Sequence, residues 1–276
     1  MPHIDHKYNF FSAKSCLQWR DGLKGFNLIL LDDNNTHVQA FLYADNWRAY
    51  STDIVEGGLY VISNFYTREA MGTLRPTTSK FIINFSNSTH VKKVEDDDFM
   101  TPMHKFEFVD LSELFGIVSN YENPDAPEFS KDIIGVLEDF ENVKVIKTMF
   151  GERNIVRFRI TNGRYSHKVS VSGKLDVTTD ELYGKIKEKP SIAIVTSCKM
   201  KIFRSSVQIS TLPSSKIYFN LDDECVAAMR IRLEEEGYKV PENVEPIPLP
   251  NIEPPVFQTI TLKELSEKTN TDELKV

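Results

Sequence analysis

The stretch 25–65, GFNLILLDDNNTHVQAFLYADNWRAYSTDIVEGGLYVISNF, constrains the fold more than any other part of the chain. An apolar run at 28–31 stops at Asp32-Asp33-Asn34-Asn35, residue types that tolerate left-handed backbone and bond their own main chain. A second run at 38–43 follows at once, so the two form a hairpin. The segment 45–50 is too short and polar for a core helix, and Glu56-Gly57-Gly58 turns the chain into another strand at 59–65. Strand, tight polar turn, strand, short helix, strand is the order of a small Greek-key barrel that displays one sheet face.

With 276 residues the chain has room for about two such domains. Eighteen Phe and ten Tyr, joined by β-branched residues in the apolar runs, favour strands over helices. No apolar run reaches the length of a membrane span, so a membrane is not an expected partner. The first ten residues lack the basic and apolar regions of a signal peptide. Cys16, Cys198 and Cys225 are odd in number and far apart, which argues for a reducing compartment and against both a disulfide framework and a zinc site. The net charge is −7, yet residues 144–204 carry 14 Lys or Arg against 5 Asp or Glu, a local balance of +9. A basic stripe inside an acidic protein is what a polyanion groove requires.

Two similar segments follow one another. The first, 1–104, has expected strands near 12–19, 26–31, 37–43, 58–66 and 79–85. A linker rich in Asp, Thr and Pro, 95–102, leads to the second segment, 105–238, where Phe106 and Phe108 alternate and a short helix is expected at 111–114. Strands are expected at 132–138, 154–160, 165–171, 191–198, 208–211 and 216–220, with Asn162-Gly163 as a hairpin turn and a helix at 180–185. DECVAAMRIRLEEE, 223–236, reads as a helix ended by Gly237. Six prolines between 240 and 255 mark the remainder, 239–276, as an extended linker and tail.

The ordered series LILLDDNNTHVQAFLYADN, EGGLYVISNFY and LRPTTSKFIINFSNSTHV resembles the first DNA-binding barrel of the replication protein A large subunit, most of all its plant branch. FEFVDLSEL followed by SKDIIGVLEDF resembles the junction into that family's second barrel. The resemblance covers 12–236 and implies an all-β protein of two tandem five-stranded OB-folds, each with a short helix. It also implies a nuclear, non-enzymatic protein that binds single-stranded DNA in replication, repair or recombination. The family's third barrel carries a zinc ribbon and joins two smaller subunits. Only its opening precedes Val276, so zinc and the heterotrimer partners are not carried over. The stacking aromatics are partly kept. Tyr43 stands at the first position and Leu74 replaces the second. Ser172 stands where the second barrel's Trp belongs, and Phe203, in the loop after Cys198, matches the remaining aromatic.

The candidate nucleic-acid contacts are therefore Tyr43 and Phe203 for bases. For phosphates they are Arg68, Arg75 and Lys80 in the first barrel, and Arg153, Arg157, Arg159, Lys168, Lys199 and Arg204 in the second. Arg157 and Arg159 are two apart and share a face, while Val156, Phe158 and Ile160 take the other. With half the platforms missing, the expected binding is weaker and more salt-sensitive than the family norm. Trp19 and Trp47 read as packing residues. No phosphate-binding glycine loop, nucleophile elbow or HExxH motif is present, and the six histidines are scattered, so neither enzymatic activity, metal nor cofactor is expected. The alternative reading is a degenerate OB-fold pair serving as a protein-interaction scaffold in a nuclear complex, with the Pro-rich C-terminal segment as the dock.

Overall fold

The structure, a computed structural model, describes residues 6–19, 22–32, 34–50, 54–55, 57–71, 74–94, 104–119, 128–139, 141, 144–148, 151–172, 190–212 and 214–239. The helix expected at 180–185, the acidic linker from 95 and the Pro-rich stretch from 240 lie outside them, as do the side chains of Trp19 and Trp47.

Strands β1 (His6–Trp19), β2 (Gly22–Asp32) and β3 (His37–Tyr43) run antiparallel. The β2–β3 turn is tight because the Asp32 carboxylate accepts the Thr36 N–H at 2.6 Å and Asn35 takes a φ of 57°. Helix α1 (Ala44–Tyr50) follows, then β4 (Leu59–Ser63), β5 (Tyr66–Glu69), β6 (Leu74–Arg75), β7 (Phe81–Asn84) and β8 (His90–Lys93). The single strand expected at 58–66 is thus two. Asn64, at φ 58°, turns the chain so that β4 pairs with β1 while β5 pairs with β7. β7 lies parallel to β3, and because only Asn64 and Phe65 separate β4 from β5, the path β5-β7-β3-β2-β1-β4 comes back to where it began. Its interior holds Leu28, Leu30, Leu42, Tyr60, Ile62 and Phe85. Polar as it is, α1 closes one end through Tyr50, edge-on to Phe85 at 5.8 Å and donating to the Thr89 carbonyl at 2.7 Å.

The second segment repeats the plan. After α2 (Leu114–Ser119) come β9 (Glu128–Phe129), β10 (Lys131–Glu138), β11 (Lys144–Thr148), β12 (Gly151–Thr161) and β13 (Ser166–Ser172). Then follow β14 (Ile192–Phe203), β15 (Ser206–Thr211), β16 (Ile217–Phe219) and α3 (Glu224–Glu235). The order β10-β12-β13-β15-β14 returns to β10, a closed five-stranded barrel with β13 and β15 parallel. Here Ser197, φ 50°, is the bend: β14 pairs with β10 as far as Cys198 and with β15 from Cys198 onward. The helix expected at 111–114 begins instead at Leu114. The Asp110 carboxylate accepts both the backbone N–H and the hydroxyl of Ser112 (2.8 and 2.5 Å), which holds 111–113 as a turn.

The runs IIGVL and IAIV are apolar throughout because both faces of β10 and of the first half of β14 are covered. Ile133, Ala193 and Val195 face the barrel interior. Val136, Ile192 and Ile194 face outward, under Val226, Met229 and Leu233 of α3. That helix is capped by Asp223, which accepts the Cys225 N–H at 3.0 Å, and stops at Gly237, φ 67°.

The barrels meet through a parallel ladder in which Leu74 opposes Glu128 and Arg75 opposes Phe129. Lys105 donates to the Asn35 carbonyl at 2.6 Å. A cleft of the junction is lined by His37 and His104 of the first segment and by Lys105, Asp132, Lys216 and Tyr218 of the second. Desolvation, then the neighbouring Lys105, lowers the His37 pKa to about 4 from the ordinary 6.5.

This packing makes two glycines and one histidine sensitive to change. An added Cβ at Gly135 would lie 2.6 Å from the Thr161 carbonyl oxygen, and one at Gly25 2.2 Å from that of Leu42. Each Gly→Ala change should therefore cost about 1–3 kcal/mol in urea unfolding, as overpacking against backbone does. For His37 the unfolded chain takes up its proton first, so stability that is whole above pH 6.5 is lost as pH falls toward 4. His37→Gln should remove about 1–3 kcal/mol of that loss between neutral and mildly acidic urea titrations.

Candidate nucleic-acid interface

Alternation along β12 sends Val156, Phe158 and Ile160 into the core, leaving Arg157 half-buried and Arg159 exposed on the outside. Strand register extends this into two rows across the sheet. Arg159 opposes Lys168, which opposes Gln208, which opposes Lys201. Arg157 opposes Ser170, then Ser210, then Lys199. Neighbouring strands are about 4.8 Å apart and alternate residues about 7 Å, so the rows form a close cationic grid. The grid lies on the open side of the barrel; α3 covers the β10 and β14 side.

The segment between β10 and β11 folds back on the grid. The Glu141 N–H donates to the Arg157 carbonyl at 2.7 Å, and its carboxylate is shared by Lys144, at 3.0 Å, and Lys168. Asp139, at φ 48°, pairs with Arg159 at 3.3 Å. The hydrogen bonds from Lys168 and then Lys144 hold the Glu141 carboxyl below its ordinary range. These pairs are exposed, a setting in which each contributes only about 0.2–1 kcal/mol, so a phosphate can replace the carboxylates at little cost.

At the end of the grid β14 and β15 meet in a turn of Arg204 and Ser205, both at positive φ. Phe203 is therefore the last residue of a strand and opposes Ser206, rather than lying in a loop after Cys198. Its ring is 48% exposed, and the Arg204 guanidinium lies 5.2 Å from the ring centre, within cation–π range. Ser172 ends β13, exposed, its N–H donating to the Thr211 hydroxyl at 3.2 Å. Arg153 belongs to β12 opposite Ile146, and its side chain is outside the described residues.

On the first barrel, Ile83 and Phe85 point inward, so Ile82 and Asn84 belong to the outer face. Ile82 joins Phe41 and Ala70 in a small apolar floor. Tyr43 meets this floor edge-on to Phe41 at 4.9 Å and remains 44% exposed. Arg68 Nε donates to the buried Asn84 side chain at 3.2 Å. Lys80 is exposed just before β7, its carbonyl accepting the Ala70 N–H at 2.8 Å. The third cation expected on this face is Arg75. It lies in β6 at the junction, and its carbonyl accepts the Ser130 N–H at 2.9 Å. A partner strand 54 residues away decides its place, which local pattern does not record.

Sequence reasoning missed Lys201, Asp139 and Glu141. Lys201 carried a usable signal, the period of two: it shares parity with Lys199. The acids carried none, because their pairing arises from the chain folding back. Among the described residues no three His, Cys, Asp or Glu are grouped to hold a metal ion, and no helix is long and apolar enough to cross a membrane.

A family model described as a domain of unknown function, DUF223, matches residues 16–114. Over 219 residues the chain is 25% identical to a replication protein A 70 kDa DNA-binding subunit of Arabidopsis thaliana, 78% of this chain and 33% of that protein. Another replication protein A 70 kDa DNA-binding subunit of the same plant is 24% identical over 216 residues, 77% of this chain and 34% of that protein. The chain thus spans about a third of the length of the curated relatives it matches. A solved structure of a replication protein A heterotrimer bound to single-stranded DNA superposes with a TM-score of 0.58 at 22% identity, covering 86% of this chain and 53% of that one. Its likeness and the barrel topology agree on tandem OB-folds, and the chain is similar over most of its length to the replication protein A large subunit.

The shared carboxylate supplies a direct check. In a carboxyl-edited NMR titration Glu141 should ionise below the ordinary glutamate range, and Lys168→Gln should move it back toward that range. Since its folded value is depressed, its contribution to stability is present at neutral pH and lost as pH falls through that lowered value.

Proposed function

We propose that the chain binds single-stranded DNA along the outer sheet faces of its two barrels, without strong sequence preference and without catalysis. The observation that carries this reading is the double row of Arg159, Lys168, Lys201 and Arg157, Lys199 on the open face of the second barrel. Phosphates meet these cations and Arg204, while Tyr43 and Phe203 offer faces for bases. Arg68 and Lys80 serve the first barrel, and Arg153 extends the stripe along β12. The relatives named as DNA-binding subunits support the ligand class, and by the same likeness we place the protein in the nucleus, in replication, repair or recombination. The functional units are 1–104 and 105–238, with 239–276 as a linker and tail. Binding is weaker than in a barrel with all its rings, because Ser172 and Leu74 offer none.

One observation favours a second reading. Asp139 and Glu141 already neutralise Arg159, Lys144 and Lys168, as they would if the barrels served as a protein scaffold. Anisotropy with a labelled oligo-dT separates the two. Binding by the DNA reading tightens steeply as salt falls, exceeds that to a duplex of equal length, and loses roughly 0.7 of log–log slope per phosphate contact removed. Arg159→Gln with Lys168→Gln should therefore flatten the slope by about 1.4. Tyr43→Ala should lose about 1–3 kcal/mol of affinity with the slope unchanged. No binding at low salt, or a slope indifferent to the paired substitution, leaves the scaffold reading standing instead.

A further inference from the structure

We propose that Tyr66 is a second nucleobase-stacking platform on the first barrel, working with Tyr43 across one sheet face. This rests on the single-strand reading and adds a binding site to it. The sequence resemblance puts the second aromatic at Leu74, but Leu74 is half-buried in the junction ladder opposite Glu128. The position is lost and the face is left with Tyr43 alone, unless another strand supplies a ring. Strand β5 does. Tyr66 opposes Asn84, and Asn84 opposes Phe41, so the three form one row across β5, β7 and β3. Paired residues of adjacent strands share a face. The Arg68–Asn84 hydrogen bond shows that β5 presents its even-numbered residues to this outer side.

Tyr43 is two residues along β3 from Phe41 and touches its ring. Strand spacing then places the Cα atoms of Tyr66 and Tyr43 about 12 Å apart, two strands across and two residues along. Tyr66 is 47% exposed, as much as Tyr43 at 44%. It makes no side-chain hydrogen bond or ring contact within the described residues. A ring this exposed on a strand offers surface to a base. Phe81 is more exposed still, at 57%, but lies on the other parity of β7 from Ile82 and Asn84 and is not part of this surface. Arg68, two residues from Tyr66, is held by Asn84 with its guanidinium in the same face, so a backbone phosphate beside the stacked base meets a positive charge.

The test uses the full chain and labelled oligo-dT, with one thymidine at a time replaced by an abasic nucleotide. Two sensitive positions in the first barrel's part of the site are expected. Tyr66→Ala should weaken binding to oligo-dT about ten- to a hundredfold and abolish sensitivity at one position. Tyr43→Ala should abolish sensitivity at the other. Tyr66→Phe, which keeps the ring, should bind as the unaltered chain does, and the urea midpoints of both Tyr66 variants should stay unchanged. Unaltered affinity in Tyr66→Ala overturns the platform while leaving the single-strand reading intact. So does an equal loss on a wholly abasic oligomer, since that loss is not stacking. Failure of the unaltered chain to bind oligo-dT at low salt overturns both.

Discussion

The Asp132 carboxylate joins β10 to the bend of β14 and to the segment that arrives from the first barrel. One carboxylate oxygen accepts the N–H of Ser197, the left-handed residue at which β14 turns from β10 to β15. The other accepts the N–H of Glu107, in the segment that arrives from the first barrel. A five-stranded sheet closes only if one strand serves two neighbours, and a non-glycine residue at positive φ in mid-strand is strained. Here two N–H bonds at 2.8 Å hold the bend in place. Burial raises the Asp132 pKa, opposed by these same bonds. The first barrel makes the equivalent turn at Asn64, whose carbonyl accepts the Thr89 hydroxyl at 3.1 Å. Asparagine accepts left-handed backbone more readily than most residues, so that barrel needs no buried carboxylate at its bend.

From this closure follows the asymmetry that creates a usable surface. Once β14 is committed to β10 on one side, α3 can cover the outside of both with Val226, Met229 and Leu233. The opposite wall, β12, β13 and β15, carries no helix among the described residues, and its outward residues include Arg157, Arg159, Lys168, Ser170, Gln208 and Ser210. A net charge of −7 and a cationic face are then compatible, because the acids and the grid occupy different places. The exceptions, Asp139 and Glu141, sit on the grid itself. Each carboxylate is monovalent and held by exposed cations; under the function proposed above, a chain of phosphates that engages several cations at once displaces it by charge density and counterion release.

Several elements are legible in the sequence because they are decided locally. The Asn162-Gly163 turn is one: the Asn162 side chain accepts the N–H groups of Arg164 and Tyr165, and Gly163 takes φ 91°. The shared face of Arg157 and Arg159 is another, fixed by alternation alone. The bends are not legible. Neither SNFY nor VTSCK contains glycine or proline, and the strand pattern runs through each without a break, so sequence reasoning makes one strand continuous and ends the other too early. The pairing of Arg75 is not legible either, because its partner strand is supplied by the second segment. The onset of α2 shifts because a side chain, Asp110, competes for the first turn.

The two barrels divide the work of holding a single strand, under the function proposed above. The first has a ring-bearing face with an apolar floor of Phe41, Ala70 and Ile82, and its cations there are few. The second has a cationic grid and one exposed ring at its edge, Phe203, already beneath Arg204. Stacking responds little to ionic strength, whereas phosphate contacts weaken with every increment of salt. Affinity at low salt is then set by the second barrel, and what survives at high salt by the first. The junction matters for the same reason: Lys105 on Asn35 and the Arg75–Phe129 ladder fasten the two faces to each other. A tethered second face meets the strand as an intramolecular event, at an effective concentration on the order of millimolar for a short connection. Two weak and chemically different faces therefore suffice where neither alone would hold the ligand.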